Sequence, residues 1–360
     1  VPTGARLKGD TLKLEVYHMK QYYDLIFITN LPSFYKIKLY NEIALQKKIL
    51  VIYTGDTAKE RNKNFFNGTP NFRYYYLQGN IIKKIYFTIQ ILLKLNYNHL
   101  VLGGWDSLIM WIANFFSSKR KNGVIIESTC YESSTKGLKY IIKQIFLSHT
   151  SIAFTCGSPH SRLIKKLKFK GKIIETGGVG LINCQKRPHY IHKNTIKNFL
   201  YVGRLVDVKN IEFLIQEFNQ FPELNLTIVG EGKLESYLKS ISNNNITFLG
   251  HINNEELPNI YKTHDVFILP SLSETWGLVV EEALNNGLPV IVSNRVGCHE
   301  NLIKENYNGF VYAVNDHDMF KKYIKQITKP EIYNRLVYNI SNIDFQQQAY
   351  KQISSFVNLS

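Results

Sequence analysis

The chain has 360 residues, 44% of them apolar, which is enough to bury the cores of two globular domains. It contains no uninterrupted apolar run of about 18 residues, so a transmembrane helix is not expected. The four cysteines form no CxxC pair, which argues against a zinc site or a disulfide framework and is typical of a reducing cytosol.

The net charge of +16 is divided unevenly along the chain. Residues 19–195 contain 27 Lys and Arg against 8 Asp and Glu, whereas residues 196–360 contain 14 against 18. A basic half joined to a slightly acidic half implies that the two halves bind different partners.

The first 18 residues, VPTGARLKGDTLKLEVYH, do not match the pattern that follows them. We interpret Met19 as the natural start and residues 1–18 as a vector-derived segment. A genuine N-terminal arm is the alternative.

Strand and helix alternate along the first half, which predicts a parallel sheet covered by helices on both faces. Predicted strands are Leu25–Thr29, Ile49–Tyr53, Phe72–Tyr76, His99–Leu102, Val124–Glu127, Ile152–Thr155 and Lys172–Glu175. Predicted helices are Phe34–Gln46, Ile81–Leu95, Leu108–Phe116, Gly137–Ser148 and Ser158–Leu167.

The second half repeats the alternation after a polar segment at 183–197, which we interpret as a linker. We predict two Rossmann-like domains, an N-terminal one at 19–190 and a C-terminal one at 196–335. Residues 336–360 are predicted to be helices that cross back to the N-terminal domain. Predicted strands are Asn198–Val202, Asn225–Val229, Ile246–Leu249, Val266–Leu269, Val290–Ser293 and Gly309–Tyr312.

The stretch 267–294, FILPSLSETWGLVVEEALNNGLPVIVSN, runs from an apolar strand through a polar loop and a helix to a second strand. Glu274 and Glu282 lie eight positions apart across the start of that helix, so both can contact one elongated ligand. Gly277 permits close approach of backbone to the ligand, and the N–H groups that open the helix attract an anion. Hydroxyl groups at both ends and phosphate between them describe a nucleotide-sugar.

Other candidate residues of the second half also follow predicted strands. In a doubly wound sheet, ligands bind beyond the carboxyl ends of the strands. Arg204 follows the first predicted strand of this half, and Lys209 lies five residues after Arg204. A guanidinium and an ammonium group placed this way can bind a diphosphate. Surface charge is the alternative interpretation of this pair taken alone.

The segments VGRLVDVKN, IVGEGKLESYL, FLGHI, LPSLSETWGLVVEEALNNGLPVIVS and NGFVY resemble, in order and spacing, the C-terminal half of the GT-B glycosyltransferases of family 4. Glu274 and Glu282 match that family's EX7E pattern, and the resemblance spans roughly residues 196–315. It implies an α/β fold of the GT-B type, with two doubly wound Rossmann-like domains facing a central cleft.

The resemblance also implies roles for single residues. Arg204 and Lys209 would hold the donor diphosphate, Glu274 the donor sugar and Glu282 the ribose. The remaining donor-side residues implied are the backbone of Gly277 and Leu278 for phosphate oxygens, and Glu231, His251 and Ile252 around the base. Thr275 and Trp276 stand where Gly-Phe is common, which bears on donor selectivity.

The family further implies a retaining transfer without a metal ion or another cofactor. Asp316, His317 and Asp318 match the DxD pattern that binds metal in other glycosyltransferases. Because Asp316 immediately precedes a predicted helix, we interpret it as a helix N-cap instead.

The first half offers fewer candidates, all on the acceptor side. Residues 28–36, ITNLPSFYK, resemble the TNxPSPYR opening of some family members, which places Pro32 and Ser33 beside the acceptor. Trp105 and Asp106 follow a predicted strand, and Trp105 either stacks on an acceptor ring or packs in the interior. Glu127 is our candidate for contacting the acceptor hydroxyl, with a structural acid as the alternative.

Two stretches bear on localisation, because they mix lysine with apolar residues. These are Ile81–Leu95 and Ser161–Lys172, the first patterned as a core helix and the second as a basic surface. With the basic half they suggest adsorption to an anionic membrane, and a solvated basic face is the alternative.

We therefore expect a retaining glycosyltransferase of the hexosyltransferase class that uses a UDP- or GDP-sugar and a glycan acceptor on a lipid carrier. Its expected place is bacterial cell-surface polysaccharide or glycoconjugate synthesis, in the cytoplasm and peripheral on the inner face of the cell membrane. The alternatives are a sugar-nucleotide epimerase, a donor-binding subunit without turnover, and a basic nucleic-acid-binding protein. The chain contains no recognised nucleic-acid-binding module, so we do not expect nucleic acid as a partner.

Overall fold

The computed structural model describes residues 21–55, 68–182, 184 and 186–359. Over these ranges strands and helices alternate as predicted, and the strands form two sheets in which each pairing is parallel. The predicted α/β class is therefore confirmed. The segment 1–18 that we interpreted as vector-derived lies outside the described residues.

The first sheet has the strand order β3-β2-β1-β4-β5-β6-β7. Strand β1, which lies inside the sheet, is buried along most of its length. Helices cover both faces of the sheet, so a continuous apolar run such as Ile26–Ile28 packs against a core on either side. The order reverses between β1 and β4, and this switch point is where such sheets bind ligands. The strands are β1 Tyr22–Thr29, β2 Ile49–Tyr53, β3 Arg73–Tyr76, β4 Asn96–Leu102, β5 Asn122–Ile126, β6 Ile152–Thr155 and β7 Lys172–Glu175.

Four of the described helices that alternate with the strands of the first sheet, all except Phe34–Ala44, contribute residues to one apolar core. Neighbouring helices are also tied by a buried amide, since Asn114 Nδ2 donates to the carbonyl oxygen of Phe146 at 2.8 Å. The helices are α1 Phe34–Ala44, α2 Ile81–Lys94, α3 Leu108–Phe116, α4 Gly137–Ser148 and α5 Ser158–Lys166, with a 3-10 turn at Lys119–Lys121.

The second sheet has the order β10-β9-β8-β11-β12-β13, and its switch point lies between β8 and β11. Its strands are β8 Asn198–Val202, β9 Asn225–Val229, β10 Ile246–Gly250, β11 Val266–Leu269, β12 Val290–Ser293 and β13 Gly309–Tyr312. Its helices are α6 Ile211–Phe218, α7 Glu235–Ser240, α8 Leu257–Thr263, α9 Leu278–Asn285, α10 His299–Leu302, α11 His317–Ile327 and α12 Pro330–Ser341.

The chain divides into two compact units, one containing the residues up to Ile182 and from Tyr350 onward, the other Asn183–Ala349. The last helix, α13 (Phe345–Val357), supplies aromatic packing to the first unit. The ring of Phe356 stacks on Phe154 with centroids 4.6 Å apart, and the ring centroid of Phe27 lies 5.7 Å away. No helix in the described ranges is long and apolar enough to cross a membrane.

Candidate active site

The loops that follow β8, β11 and β13 are fastened together at the switch point of the second sheet. The N–H of Leu272 donates to the carbonyl oxygen of Val208 at 2.9 Å. Asn210, which precedes α6 with a φ of 57°, donates through Nδ2 to Pro270 O and Asn315 Oδ1, both at 3.2 Å. One left-handed asparagine therefore holds three loops in a common frame.

Lys209 and Glu274 form an ion pair within that frame. Lys209 ends a 3-10 turn at Asp207–Lys209, and Glu274 lies in the loop after β11. The two side chains are only 13% and 18% exposed, so the pair is shielded from solvent more than an ordinary surface pair.

Arg204 adds a second positive charge to the same place. The buried phenol of Tyr201 donates to the carbonyl oxygen of Arg204 at 3.1 Å. Burial raises the pKa of Tyr201, the Glu274 carboxylate raises it further, and the Arg204 guanidinium lowers it. Since both charges act on one phenol, Arg204 and Glu274 lie near the same point of the site.

The backbone of Glu274 is held by the loop that follows β12. Its N–H donates to Arg295 O at 3.1 Å, and its carbonyl oxygen accepts from the N–H of Gly297 at 2.7 Å. A Cβ at position 297 would lie 1.9 Å from the carbonyl oxygen of Thr275, so only glycine allows the two loops to come this close. The position of the carboxylate is thus set by sheet-like pairing as well as by Lys209.

Helix α9 begins directly after Gly277, whose φ of 97° favours glycine. A Cβ on Gly277 would lie 3.5 Å from Glu274 Cγ and 2.8 Å from Val296 Cγ1, which shows how near the start of the helix is to the carboxylate. The N–H groups that open a helix have no partner in a preceding turn and attract negative charge, although here the N–H of Val280 donates to the carbonyl oxygen of Gly277 at 2.9 Å.

The adjacent acids Glu281 and Glu282 of α9 have opposite environments. Glu282 is partly exposed, and its Oε2 accepts a hydrogen bond from the phenol of Tyr261 at 3.1 Å. Glu281 is buried and accepts from the indole N–H of Trp276 at 3.3 Å. Burial raises the pKa of Glu281 to about 8, with a further rise from the Glu282 charge that the indole N–H opposes.

Trp276 corrects one expectation from the sequence. Its indole is buried against Glu281 and therefore does not line the site. The neighbouring Thr275 is partly exposed. Of the two residues, it is therefore the one whose side chain is accessible to solvent.

The residues expected around a base also lie at the carboxyl edge of the second sheet. The N–H of Leu205 donates to Glu231 O and the N–H of Gly230 donates to Gly250 O, each at 2.8 Å, which ties the loops after β8, β9 and β10 together. Glu231 and His251 are exposed, and Ile252 is partly exposed.

The first sheet carries its own ion pair at the carboxyl ends of its strands. Lys36 of α1 lies 2.8 Å from Glu127, which follows β5. Burial by itself lowers the Lys36 pKa, but the Glu127 carboxylate outweighs this effect and raises it above its ordinary value. Beside the pair are two uncharged groups, Tyr40, whose pKa burial raises to about 12, and the buried thiol of Cys156.

The other acceptor-side candidates are placed differently from one another. Asp106 is exposed and accepts a hydrogen bond from Asn30 Nδ2 at 3.3 Å. Trp105 packs against the core, with its carbonyl oxygen accepting from the indole N–H of Trp111 at 2.9 Å. Pro32 is partly exposed, and Ser33 is buried at the start of α1.

The N-cap role predicted for Asp316 of the DxD-like triplet is confirmed. Asp316 caps α11 by accepting the N–H of Met319 at 2.9 Å. His317 Nδ1 lies 2.5 Å from Oε1 of the buried Glu217. No group of three or more His, Cys, Asp or Glu in the described part of the chain is arranged to hold a metal ion.

The sequence did not point to Tyr261, Tyr201 or Asn210. The two tyrosines occur in apolar runs that indicate only core positions, and Asn210 carries no signal beyond its place before a helix. Their hydrogen-bond partners lie between 3 and 105 positions away in the sequence, and the periodicity of apolar residues does not reveal such pairs.

Comparison with known proteins finds similar sequences for the second half of the chain. Residues 185–343 match the family model described as glycosyl transferases group 1. An uncharacterized glycosyltransferase of Methanocaldococcus jannaschii is 33% identical over 41% of this chain. A UDP-Gal:alpha-D-GlcNAc-diphosphoundecaprenol alpha-1,3-galactosyltransferase of Escherichia coli is 35% identical over 40%. The matches span 42% and 40% of these relatives' own lengths.

Two solved structures extend the likeness in fold to nearly the full chain. The apo form of the lipopolysaccharide outer core galactosyltransferase WaaB is 16% identical, has a TM-score of 0.66 and covers 92% of this chain and 99% of its own. Anabaena HepE in complex with UDP and glucose is 15% identical, with a TM-score of 0.67 and coverage of 91% and 97%. The chain accordingly has the GT-B fold, and its residues 185–343 are similar to the glycosyl transferases group 1 family.

Proposed function

We propose that the protein transfers a sugar from a nucleoside-diphosphate sugar to a glycan acceptor, with retention of the anomeric configuration. One observation carries the proposal: Arg204, Lys209, Glu274 and the N-terminus of α9 converge at the carboxyl edge of the second sheet. Departure of a nucleoside diphosphate develops negative charge, and preorganised cations and N–H groups stabilise it without rearrangement.

Each residue of the cluster has a separate role in this proposal. Arg204, Lys209 and the N–H groups at Gly277 and Leu278 hold the diphosphate. Because these groups already supply the positive charge that the leaving group needs, the proposed transfer uses no metal ion. Glu274, fixed by Lys209 and by its backbone pairing, accepts hydrogen bonds from the donor sugar.

The remaining donor-side residues would bind the nucleoside. Glu282 accepts hydrogen bonds from the ribose while Tyr261 orients its carboxylate. The loops at Glu231, His251 and Ile252 flank the base, and Thr275 lies beside the sugar. Trp276 contributes its backbone only.

On the acceptor side, Glu127 is the proposed contact for the acceptor hydroxyl. Its carboxylate, which lies 2.8 Å from Lys36 Nζ, would accept a hydrogen bond from that hydroxyl group. Pro32, Ser33 and Asp106 are proposed to lie near the acceptor, and the packing of Trp105 supports a structural role for its ring.

The comparisons suggest a substrate class to try first. The solved HepE complexes contain UDP, glucose or UDP-glucose, and the Escherichia coli relative is named for UDP-Gal and a diphosphoundecaprenol-linked acceptor. We propose a UDP-sugar donor and a lipid-linked glycan acceptor in bacterial polysaccharide or glycoconjugate synthesis. The basic first half would bind the anionic cytoplasmic surface of the membrane.

Donor binding is tested by thermal unfolding of the wild type with UDP, GDP and their sugar conjugates. A ligand at 100 times its Kd stabilises the folded state by about 2.7 kcal/mol, which is readily measured as a rise in Tm. We expect Glu274→Ala to keep the response to UDP and to lose most of the additional response to the sugar. Lys239→Ala, which breaks an exposed Lys–Glu pair on α7, serves as the matched control and should keep both.

Transfer itself is tested by incubating the preferred donor with a lipid-linked glycan and reading the anomeric configuration of the product by NMR. An inverted product would contradict the retaining assignment. Conversion of the donor sugar without any acceptor would indicate an epimerase. Salt-dependent oligonucleotide binding with no response to nucleotides would indicate a nucleic-acid-binding protein.

A further inference from the structure

Helix α4 has apolar residues both in the core and on its solvent-exposed side. Phe146 and Leu147 are buried in the core of the first unit. The exposed apolar residues follow the i, i+3, i+4, i+7 spacing of a single helical stripe. Its members, with their exposed fractions, are Leu138 (72%), Ile141 (52%), Ile142 (41%) and Ile145 (48%).

The exposed stripe continues onto the neighbouring helix α3. His149 follows Ile145 by one helical turn, and its ring centroid lies 4.1 Å from that of Phe115. Phe115 and Phe116 are themselves exposed. We call these six residues, Leu138, Ile141, Ile142, Ile145, Phe115 and Phe116, the apolar ridge.

Positive charge surrounds the apolar ridge. Residues 107–172 contain twelve Lys and Arg and only two acids. Both acids have partners, since Glu127 pairs with Lys36, and Glu132 accepts the N–H and the hydroxyl of Thr129 at 2.8 and 2.6 Å. Neither of these contacts uses a lysine or arginine of residues 107–172.

Exposed lysines lie on two sides of the ridge. Lys136 and Lys139 are exposed at the start of α4. Near its other end, Gln144 Nε2 donates to the carbonyl oxygen of Leu167 at 3.2 Å, which brings the end of α5, with the exposed Lys166 and Lys168, next to α4.

We propose that the apolar ridge is the surface by which this protein binds an anionic lipid bilayer, with α4 lying in the headgroup region. An apolar stripe bordered by lysines is the chemistry that an interfacial helix presents to anionic lipid, where apolar burial and charge attraction add together. The proposal deepens the membrane part of the proposed function and rests on that part alone.

A second copy of the chain is the competing occupant, and charge disfavours it. Pairing two ridges would bring two lysine-rich rims face to face, and like charges in juxtaposition oppose association. An anionic bilayer covers the same apolar side chains while neutralising those lysines. Charge complementarity therefore selects the bilayer.

The surface differs from the two stretches expected from the sequence. In Ser161–Lys172 the apolar residues Leu163, Ile164 and Leu167 are buried, so that stretch contributes charge without an apolar contact. In Ile81–Leu95 the residues Ile91 and Leu92 are buried, while Ile82 (72%), Tyr86 (59%) and Leu93 (67%) are exposed near exposed lysines. Helix α4 differs in that its four exposed apolar residues form one i, i+3, i+4, i+7 stripe.

Vesicle co-sedimentation without any donor tests the proposal directly. The probes are vesicles of equal parts phosphatidylcholine and phosphatidylglycerol, and vesicles of phosphatidylcholine alone. Wild-type protein should sediment with the anionic vesicles, and Leu138→Gln should lower its partition coefficient roughly tenfold because one large apolar side chain no longer inserts. The double variant Ile141→Gln/Ile145→Gln should abolish measurable binding.

Leu45→Gln is the matched control. Leu45 at the end of α1 is 71% exposed, practically the same as Leu138 at 72%, but lies outside the ridge. It should bind vesicles as the wild type does. Equal losses in Leu138→Gln and Leu45→Gln would overturn the assignment, and so would a wild type that stays in the supernatant with anionic vesicles.

A charge variant separates the two contributions. Lys139→Gln should weaken binding to anionic vesicles about fivefold, since each lysine near the surface contributes roughly 1 kcal/mol, and added salt should reduce the difference. An equal loss on phosphatidylcholine alone would contradict the electrostatic part of the proposal. Circular dichroism melts confirm that each variant is folded.

Light scattering and a soluble acceptor complete the test. A wild-type dimer that the double variant converts to a monomer, without vesicle binding by either, would assign the ridge to a second copy instead. Turnover with a water-soluble acceptor should be unchanged in the ridge variants. Loss of vesicle binding with turnover intact would overturn only the membrane surface, whereas absent turnover with vesicle binding intact would overturn only the transferase proposal.

Discussion

The two sheets each place a lysine and a glutamate in contact at the carboxyl ends of their strands, yet the two pairs sit in different electrostatic surroundings. In the first sheet Lys36 meets Glu127, and in the second Lys209 meets Glu274. Each lysine follows the first strand of its sheet, and each is 13% exposed at its side chain. The topology of a doubly wound sheet brings the two partners together in both cases.

The difference lies in what surrounds each pair. Beside Lys36 and Glu127 are a phenol and a thiol that burial keeps neutral, Tyr40 and Cys156. Beside Lys209 and Glu274 are the guanidinium of Arg204 and the first turn of α9. The second pair thus has a guanidinium and the start of a helix beside it where the first has two neutral groups, so a Lys–Glu ion pair by itself does not make a diphosphate site.

The largest expected effect comes from removing each lysine in turn. Lys209→Met should lower kcat/KM for transfer roughly 10²–10³-fold, since a cation that stabilises the leaving group is lost. It should also remove most of the thermal shift with UDP. Lys36→Met removes a pair of comparable burial and should keep the UDP shift unchanged.

Both lysine variants should also lose stability. Partial exposure screens each pair, so we expect a decrease of about 1–2 kcal/mol in the free energy of unfolding, less than for a fully buried pair. Urea unfolding measures it. If folded Lys36→Met also lost the rise in Tm with UDP, the proposed difference between the two ion-pair sites would be wrong.

The next effect is a pH dependence specific to the second sheet. Burial raises the pKa of Glu281 to about 8, against 4.5 for the ordinary carboxyl, so the folded protein retains a proton that the unfolded chain releases. This stabilisation is complete below pH 4.5 and is lost as the pH rises toward 8. We expect the free energy of unfolding to fall by roughly 1 kcal/mol per pH unit over that window.

Glu281→Gln isolates that contribution. Glutamine keeps an acceptor for the Trp276 indole but does not titrate, so the slope between pH 5 and pH 8 should flatten in urea unfolding experiments. An unchanged slope in the variant would show that Glu281 is not the titrating group.

The smallest expected effect concerns the orientation of Glu282. Tyr261→Phe removes one hydrogen bond to its carboxylate, which is worth about 1 kcal/mol, and should raise the KM for the donor roughly fivefold with little change in kcat. Tyr237→Phe is the matched control, because its phenol donates at 2.8 Å to Glu212 on the surface. Equal KM values in the two variants would argue against a positioning role for Tyr261.

Local sequence was sufficient for the elements and for the motif that marks the site. Buried parallel strands contain runs of large apolar residues such as Ile49–Tyr53, and the six strands of the second half each begin at the predicted residue. Glu274, Glu282 and Gly277 were recognisable because their spacing follows from one loop and one helix. The N-cap role of Asp316 was likewise local and is confirmed.

Local sequence did not reveal the contacts between residues that are far apart in the chain. The sequence suggested that Trp276 lies beside the donor, but its indole packs on Glu281, since the loop turns one side chain inward and leaves Thr275 on the accessible side. Tyr261 and Asn210 were not recognised, because their partners come from other strands and helices of the sheet.

The sequence by itself determined the alternation of strands and helices, the uneven charge and the positions of the two glutamates, because each depends on residues close together in the chain. The tertiary structure decided which lysine each glutamate meets, which of Glu281 and Glu282 is buried, and which apolar face of α4 meets solvent. Apolar residues on two faces of one helix have the same local pattern. Only the packing of that helix against the sheet determines which face becomes core and which becomes surface.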